Sequence, residues 1–560
     1  MDISRKKERY CTLFFVVGLI AIAVFAVWKA QFGFGMTDEA FYLTIPYRMF
    51  KGERLFVNEW HGSQMSAFIL YPIFKVYMLL FKTTEGIILN FRYIYIFVNA
   101  AVSVVVYSRL RRFGIPGVIA VLMYYFFVPF NISSLSYNSI GLMFVLLSAV
   151  LVGTNYKHSK AVNIFAGIFF AFAVLCQPLL IVFFALGSAA LIAFSLIKKK
   201  KWINGYLFFL AGCIVAAVPV IVYLLSEVGV QRLIESVGYI MSDPEHGQGL
   251  YVSIKSLLMS YIYYRFIDAF AVGIAILAGL NWWLNKKGKS STVVLIISFA
   301  LAIYLSIKIS TLDHNKYINY LFLPLSGMGL VAIFNVRDRK ILRLYAVAVA
   351  FSAAHFFSFI SSNQYSIIMS AALIPMATVS VIVCWEAVFE NKNEMKRALG
   401  FLGKAVLVLA LAVNFAALVH FRYSYVFNAR TRAQTNLHEN GCYRGLYSSL
   451  YEHGTIEESI KDFHEQGLAD KDNVLIYSNR TWFALECSGT LSQYSVWLSG
   501  MNESTESRLK AYYRANPEKR PKYVYICKDE AASFKYDVRA WAAERGLKVN
   551  ETKFSYVIYM

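Results

Sequence analysis

The sequence predicts an all-α polytopic membrane domain of about thirteen transmembrane helices (residues 1–421), followed by a small extracytoplasmic α/β domain (residues 422–560). Three observations carry this. Hydrophobic residues make up 58% of the 560-residue chain and the mean hydropathy is +0.51, more apolar surface than one soluble core can bury. Apolar runs long enough to cross about 30 Å of hydrocarbon recur from residue 11 to about 421. Basic residues gather in clusters spaced two such runs apart, and beyond Arg422 the composition becomes that of a soluble domain.

The first run, "CTLFFVVGLIAIAVFAVW", follows the basic "SRKKERY" and leads into further spans with no small-residue cleavage site after it. It is expected to stay as a span with a cytoplasmic anchor, not to be removed as a leader. The basic clusters fall at 4–9, 109–112, 156–160, 198–201, 285–289, 337–340 and 391–397. With two spans between successive clusters, all lie on one side, and the positive-inside rule makes that side cytoplasmic. The net charge of +21 therefore records topology and some attraction to anionic lipid headgroups, and does not point to a nucleic-acid partner.

The expected spans are 11–29, 91–108, 115–131, 139–154, 161–177, 179–197, 203–224, 262–284, 291–307, 318–335, 341–360, 366–389 and 400–420. Each must be helical, because hydrocarbon offers no partner for free backbone groups. The segment "SAFILYPIFKVYMLLF" (66–81) would invert every later basic cluster if it crossed. It is expected to lie at the outer interface, interrupted by Pro72 and with Lys75 and Lys82 snorkelling. Residues 30–90 then form one long outer loop with interfacial helices, the N-terminus is cytoplasmic, and the C-terminal domain is outside. In that domain "NVLIYS" (473–478), "KYVYIC" (522–527) and "FSYVIYM" (554–560) read as strands. "ESRLKAYYRAN" and "ASFKYDVRAWAAERG" read as helices, the second stopping at Gly546. Of Cys442, Cys487 and Cys527 at most one pair can form a disulfide.

Polar groups crowd the outer loops, most densely in "GMTDEAFYLTIPYRMFKGERLFVNEWHGSQ" from residue 35. Asp38 and Glu39 lie just past the first span, where a partly dehydrated carboxylate can act as a base. Asp38 also fits as the N-cap of an interfacial helix ending near Gly52, and the two roles are compatible. Glu59 and His61 are either metal or phosphate ligands or the polar neighbours of an interfacial Trp60. In "DPEH" (243–246) and "LDHNKY" (312–317), Asp243, Glu245, His246, Asp313 and His314 are further metal-ligand candidates, or residues of solvated turns. Lys316 can clamp a phosphate as a point charge. Gln177, an amide inside a span, needs a partner.

"GMTDEAFYLTIPYRMFKGERLF", followed by the amphipathic "SQMSAFILYPIFKVY" and the Arg-led "NFRYIYIFVNAAVSVVVYSRLRR", resembles the first outer loop of GT-C glycosyltransferases. The nearest branches are the protein O-mannosyltransferases and the lipid A aminoarabinose transferases. The likeness covers the architecture of about residues 10–420 and is sharp over about 35–110. It implies a polyprenyl-phosphate-linked sugar as donor and Asp38, in the Asp38-Glu39 pair, as general base for an acceptor hydroxyl. One carboxylate suffices for a single inverting displacement from a phosphate leaving group. Relatives carry a Lys-Pro-Pro or His-Pro-Pro motif where this chain reads "EWHGSQ", so His61 and Gln64 take the place of the donor-phosphate contact. Tyr137 and Asn138 replace an acidic residue found after the third span in some relatives, and Gln177 stands where relatives carry a polar residue or lysine.

The sequence therefore predicts an integral-membrane, inverting glycosyltransferase of the cytoplasmic membrane. It moves sugar from a polyprenyl phosphate to an envelope glycan, lipid or protein outside, with a divalent metal ion as a possible cofactor at Glu59, His61, His246 and His314. The alternatives are a transporter or flippase of lipid-linked sugars, which favours internal repeats and broken helices, and a polymerase, which tends to place its large outer loop late in the chain.

Overall fold

The computed structural model describes residues 2–198, 203–241, 255, 265–312, 320–358, 365–390, 397–427, 429–498, 503–530 and 537–560. Helices dominate up to residue 424. They are α1 (Asp2–Lys29), α2 (Met36–Phe50), α3 (Ala67–Phe81), α4 (Ile87–Leu110), α5 (Ile115–Phe126), α6 (Tyr137–Thr154), α7 (Lys160–Cys176) and α8 (Leu180–Lys198). They continue as α9 (Ile203–Tyr223), α10 (Val230–Met241), α11 (Arg265–Lys286), α12 (Thr292–Ile309), α13 (Leu323–Ala332), α14 (Arg339–Ser358), α15 (Tyr365–Trp385) and α16 (Arg397–Ser424).

Among the described residues eleven helices are long and apolar enough to cross a membrane, and the protein is a multi-pass membrane protein. Ten of them fall on expected spans. The eleventh, Gln64–Phe81, is the segment expected at the interface, and the expected spans at 115–131, 161–177 and 318–335 are shorter helices. The first of these stops early for a local reason. Val128 precedes Pro129 and is extended, and Phe130 and Asn131 have positive φ, so the helix ends at Phe126.

The bundle has two distinct ends. At one, the basic clusters 4–9, 109–112 and 337–340 border a single open cleft of about 900 Å³. Arg111 pairs with Glu8 at 3.5 Å, and the Arg112 guanidinium lies 4.0 Å over the Tyr156 ring. At the other end stand Lys29, the start of α4 and the C-terminal region. Both ends of α3 are there: Trp60, just before it, bonds Tyr494, and Tyr77, in its last turns, accepts from Asn90 in the first turn of α4. In the interior α7 and α9 touch backbone to backbone. A Cβ on Gly167 would lie 1.9 Å from the Phe209 carbonyl oxygen, and one on Gly212 would lie 2.0 Å from that of Ile164. Close approach at small residues is how helices associate where lipid offers no hydrophobic gain.

The C-terminal region opens with two short hairpins, β1 (Tyr425–Val426) with β2 (Ala429–Arg430), and β3 (Asn436–Leu437) with β4 (Tyr447–Ser448). Next come α17 (Leu450–Glu465), β5 (Val474–Tyr477), α18 (Phe483–Glu486), α19 (Glu503–Ala515), β6 (Tyr523–Cys527), α20 (Val538–Ala543), β7 (Lys548–Glu551) and β8 (Ser555–Tyr559). The sheet order is β5-β6-β8-β7, with β5 and β6 parallel and the other pairs antiparallel. The three expected strands are present. β7 is an addition, and the second expected helix is described only over α20. Cys442, Cys487 and Cys527 are buried free thiols.

Candidate functional site

The segment that leaves α1 is held by the C-terminal region. Tyr447 of β4 donates its N–H to the Gln31 carbonyl and accepts from Gly33 N–H, both at 2.7 Å. Gly35 then caps α2 without a side-chain bond. Asp38 is therefore not the N-cap that its sequence position allows: it lies inside the first turn with Glu39, where a helix dipole favours carboxylates. α2 stops as expected. Gly52, at φ +89°, ends it, with Gly52 N–H on the Met49 carbonyl and Glu53 N–H on that of Arg48, a Schellman closure.

Adjacent positions on a helix diverge by about 100°, and here they part the two acids. Glu39 is 1% exposed and is held by Arg92 of α4, at 2.6 Å from Nε and 2.5 Å from Nη2, while also accepting from Gly35 N–H. With both oxygens engaged, Glu39 braces the entry of α2, in place of the catalytic role the sequence allowed it alongside Asp38. Asp38 is half-buried and interacts instead with Tyr42, one turn on, and with Tyr137 at the start of α6. Burial, and after it the Asp38 charge, hold the Tyr42 phenol well above its usual range.

The rings of Tyr42 and Tyr137 meet edge to face at 5.7 Å, and the Asn138 amide faces both hydroxyls. A reciprocal Ser136–Ser139 capping box starts α6 and so sets Tyr137 and Asn138 in its first turn. Asn138 Oδ1 has no hydrogen-bond partner among the described residues. A line of rings runs on from Tyr42 through Phe41 to His61, 4.6 Å from Phe41.

The other end of α2 is fastened to the C-terminal region. Buried Arg48 binds Glu53 and Glu59 and donates to the carbonyls of Asn58 and Gln493, and Lys519 reaches Glu53 at 2.7 Å. Burial pushes Glu53 up, but Arg48 and Lys519 outweigh it and hold this carboxyl below its usual value. For Glu59 burial wins: it stands at about 7, with Arg48, Ser495 and the His61 N–H offsetting only part of the cost.

These contacts correct the expected metal ligands. Glu59 is taken by Arg48, and the His61 ring turns to Ser63, at 2.8 Å, and to Phe41. Trp60 is no membrane-interface anchor; it stacks on Tyr239 at 4.8 Å and packs edge-on against Tyr512 in the C-terminal region. His246, His314 and Lys316, with Asp243, Glu245 and Asp313, lie outside the described residues. Among those described, the one His/Cys/Asp/Glu group close enough to share an ion is His438, His453 and Glu457, far from Glu59 in sequence. Gln64 Oε1 accepts from Phe56 N–H at 2.7 Å and closes the turn before α3, so it serves the loop. Gln177 accepts from Ser358 and packs against Gly141, one turn beyond Tyr137.

A second feature begins at Gly35, three residues before Asp38. Lys29, Arg92 and Arg422, 3%, 4% and 2% exposed, line one crevice with Gly35 and Asn131, and no acidic side chain borders it among the described residues. Glu39 compensates Arg92 alone. Lys29 binds Thr431 and the Tyr423 carbonyl, and Arg422 binds Asn131 while its Nε has no partner among the described residues. Charging buried basic groups with no acid beside them is costly, and an anion in the crevice would offset that cost. As closed it measures about 10 Å³, room for one water and not for a phosphate. The sequence held a signal for this cluster: each of the three cations sits at the end of a span away from the basic clusters, against the general trend.

No family model matches the chain, and no curated protein matches it. The chemistry of the site therefore rests on its own residues.

Proposed function

We propose that the protein is an integral-membrane inverting glycosyltransferase of GT-C type. It takes sugar from a polyprenyl-phosphate donor and passes it to a hydroxyl of an envelope glycan, lipid or protein on the extracytoplasmic face of the cytoplasmic membrane. The observation that carries this is a buried crevice lined by the basic side chains of Lys29, Arg92 and Arg422, with no acid among its described lining residues and with Gly35, three residues before Asp38, in its wall. Three basic clusters (4–9, 109–112 and 337–340) meeting at one bundle end, and both ends of α3 at the other, support the thirteen-span reading, with α2 and α3 interfacial. The C-terminal domain then covers the outer face.

In this mechanism Asp38 removes the proton from the acceptor hydroxyl as its oxygen attacks the sugar's anomeric carbon. The bond from that carbon to the phosphate oxygen breaks, and the configuration inverts. Lys29 and Arg422 meet the charge gathering on the departing polyprenyl phosphate. Tyr42, Tyr137 and Asn138 orient Asp38 and the acceptor. Entry of the phosphate requires the crevice to widen, which falls to the 30–35 segment and to residues 131–133.

The test uses full-length protein in detergent with a panel of polyprenyl-phosphate hexoses and pentoses radiolabelled in the sugar. Transfer by the wild-type protein that is lost in Asp38→Asn supports the proposal. Equal transfer by both removes Asp38 as the base.

A further inference from the structure

We propose that His438, His453 and Glu457 bind one divalent transition-metal ion of the zinc class, which ties α17 to the β3–β4 hairpin. His453 and Glu457 are four residues apart on α17, so their side chains leave the same face. His438 follows β3 and is 2% exposed. The three donor atoms lie within 4.8 Å of one another, and the two imidazole rings face each other at 4.7 Å with 31° between their planes.

Hydrogen bonds hold both imidazole rings in place. The Leu437 carbonyl can only accept, so His453 Nε2, 3.0 Å away, carries a hydrogen, and Nδ1 keeps its lone pair. His438 Nε2 lies 2.8 Å from the Ser448 hydroxyl, and its Nδ1 lies 2.8 Å from Glu457 Oε1. An ion that enters between Nδ1 and Oε1 takes the place of the proton these two share, so binding releases a proton. Metal-bound imidazoles hold their other N–H on just such carbonyl and hydroxyl partners, and two imidazoles with a carboxylate suit zinc, water completing the fourth position. A tetrahedral ion spaces neighbouring donors about 3.3 Å apart, so Nδ1 and Oε1 part by about half an ångström as it enters. The ion braces the hairpin whose Tyr447 seats residues 31–33 ahead of Asp38.

The site lies outside the groups on which glycosyl transfer rests, and its test is independent of that activity. Full-length protein in detergent is stripped with chelator, titrated with Zn²⁺ by calorimetry and counted by elemental mass spectrometry, with Co²⁺ absorption as a probe of tetrahedral ligation. The expected result is one equivalent on the wild-type protein and about a hundredfold weaker binding in His453→Ala. His453 is half-buried on the face of a helix, so this variant folds; Glu457→Gln is a second, milder probe and is expected to weaken binding in the same direction. Absence of stoichiometric binding by the wild-type protein overturns the proposal. So does unchanged affinity in the His453→Ala/Glu457→Gln double variant.

Discussion

Arg92 grips both carboxylate oxygens of Glu39, at 2.6 and 2.5 Å, and spends its other hydrogens on the carbonyls of Ala30, Phe32 and Gly33. One guanidinium thus binds the acid to the backbone that precedes it, and the direction in which α2 leaves α1 is set there. Because the pair is buried, removing one partner strands the other. Glu39→Gln or Arg92→Ala is expected to cost about 3–5 kcal/mol, read as a lower thermal midpoint in detergent. Glu39→Gln/Arg92→Met should recover part of that loss, and single variants that melt like wild type would show the pair to be dispensable.

Asp38 should behave in the opposite way. Its substitution by Asn keeps shape and hydrogen bonding, so the midpoint is expected to stay put while transfer falls by about 10²–10⁴. A parallel fall in midpoint and activity would make Asp38 a structural residue.

Lys29 and Arg422 separate stability from function in another sense. An isosteric apolar residue relieves a buried uncompensated charge, so Arg422→Met is expected to melt at or above the wild-type temperature. Its KM for the lipid donor should rise about tenfold, the equivalent of about 1.4 kcal/mol. A lower midpoint with unchanged KM would assign Arg422 to packing alone.

Glu59 gives a pH dependence of defined sign. Its carboxyl titrates at about 7 in the folded protein against 4.5 ordinarily, so the folded state holds the proton longer. Stability from this group is therefore greatest below pH 4.5 and is lost as pH rises to about 7, by about 3 kcal/mol in all. The wild-type midpoint is expected to fall between pH 5 and pH 8 relative to that of Glu59→Gln, which has no proton to lose. A rise across that window would contradict the assignment.

The legible parts of the chain are those written in local pattern. Apolar runs gave the helices, β-rich runs gave β5, β6 and β8, and Gly52 marked the end of α2. β7 escaped because "KVNE" is a polar edge strand with little apolar alternation. Asp38 looked like a cap because nothing local says that Gly35 takes that position. Glu59 and His61 looked like a ligand pair because Arg48 is eleven residues upstream of Glu59, and Gln493 and Lys519 lie more than four hundred beyond it. The helical half of the zinc-class triad, His453 and Glu457, follows a capping box at Ser449 and Glu452. Its third member depends on the turns at Gly441 and Gly445 folding His438 back over α17.

The bonds between Tyr447 and residues 31–33 also carry a consequence for how the protein is made. A ribosome finishes α1 and α2 more than three hundred residues before it reaches β4. Until then the stretch ahead of Asp38 has its bonds to Arg92 but lacks those to Tyr447, and the inserted helices carry an incompletely assembled centre. Competence arrives only as synthesis nears completion, so a nascent chain stalled before residue 447 is expected to be inert even with most of its membrane segments in place.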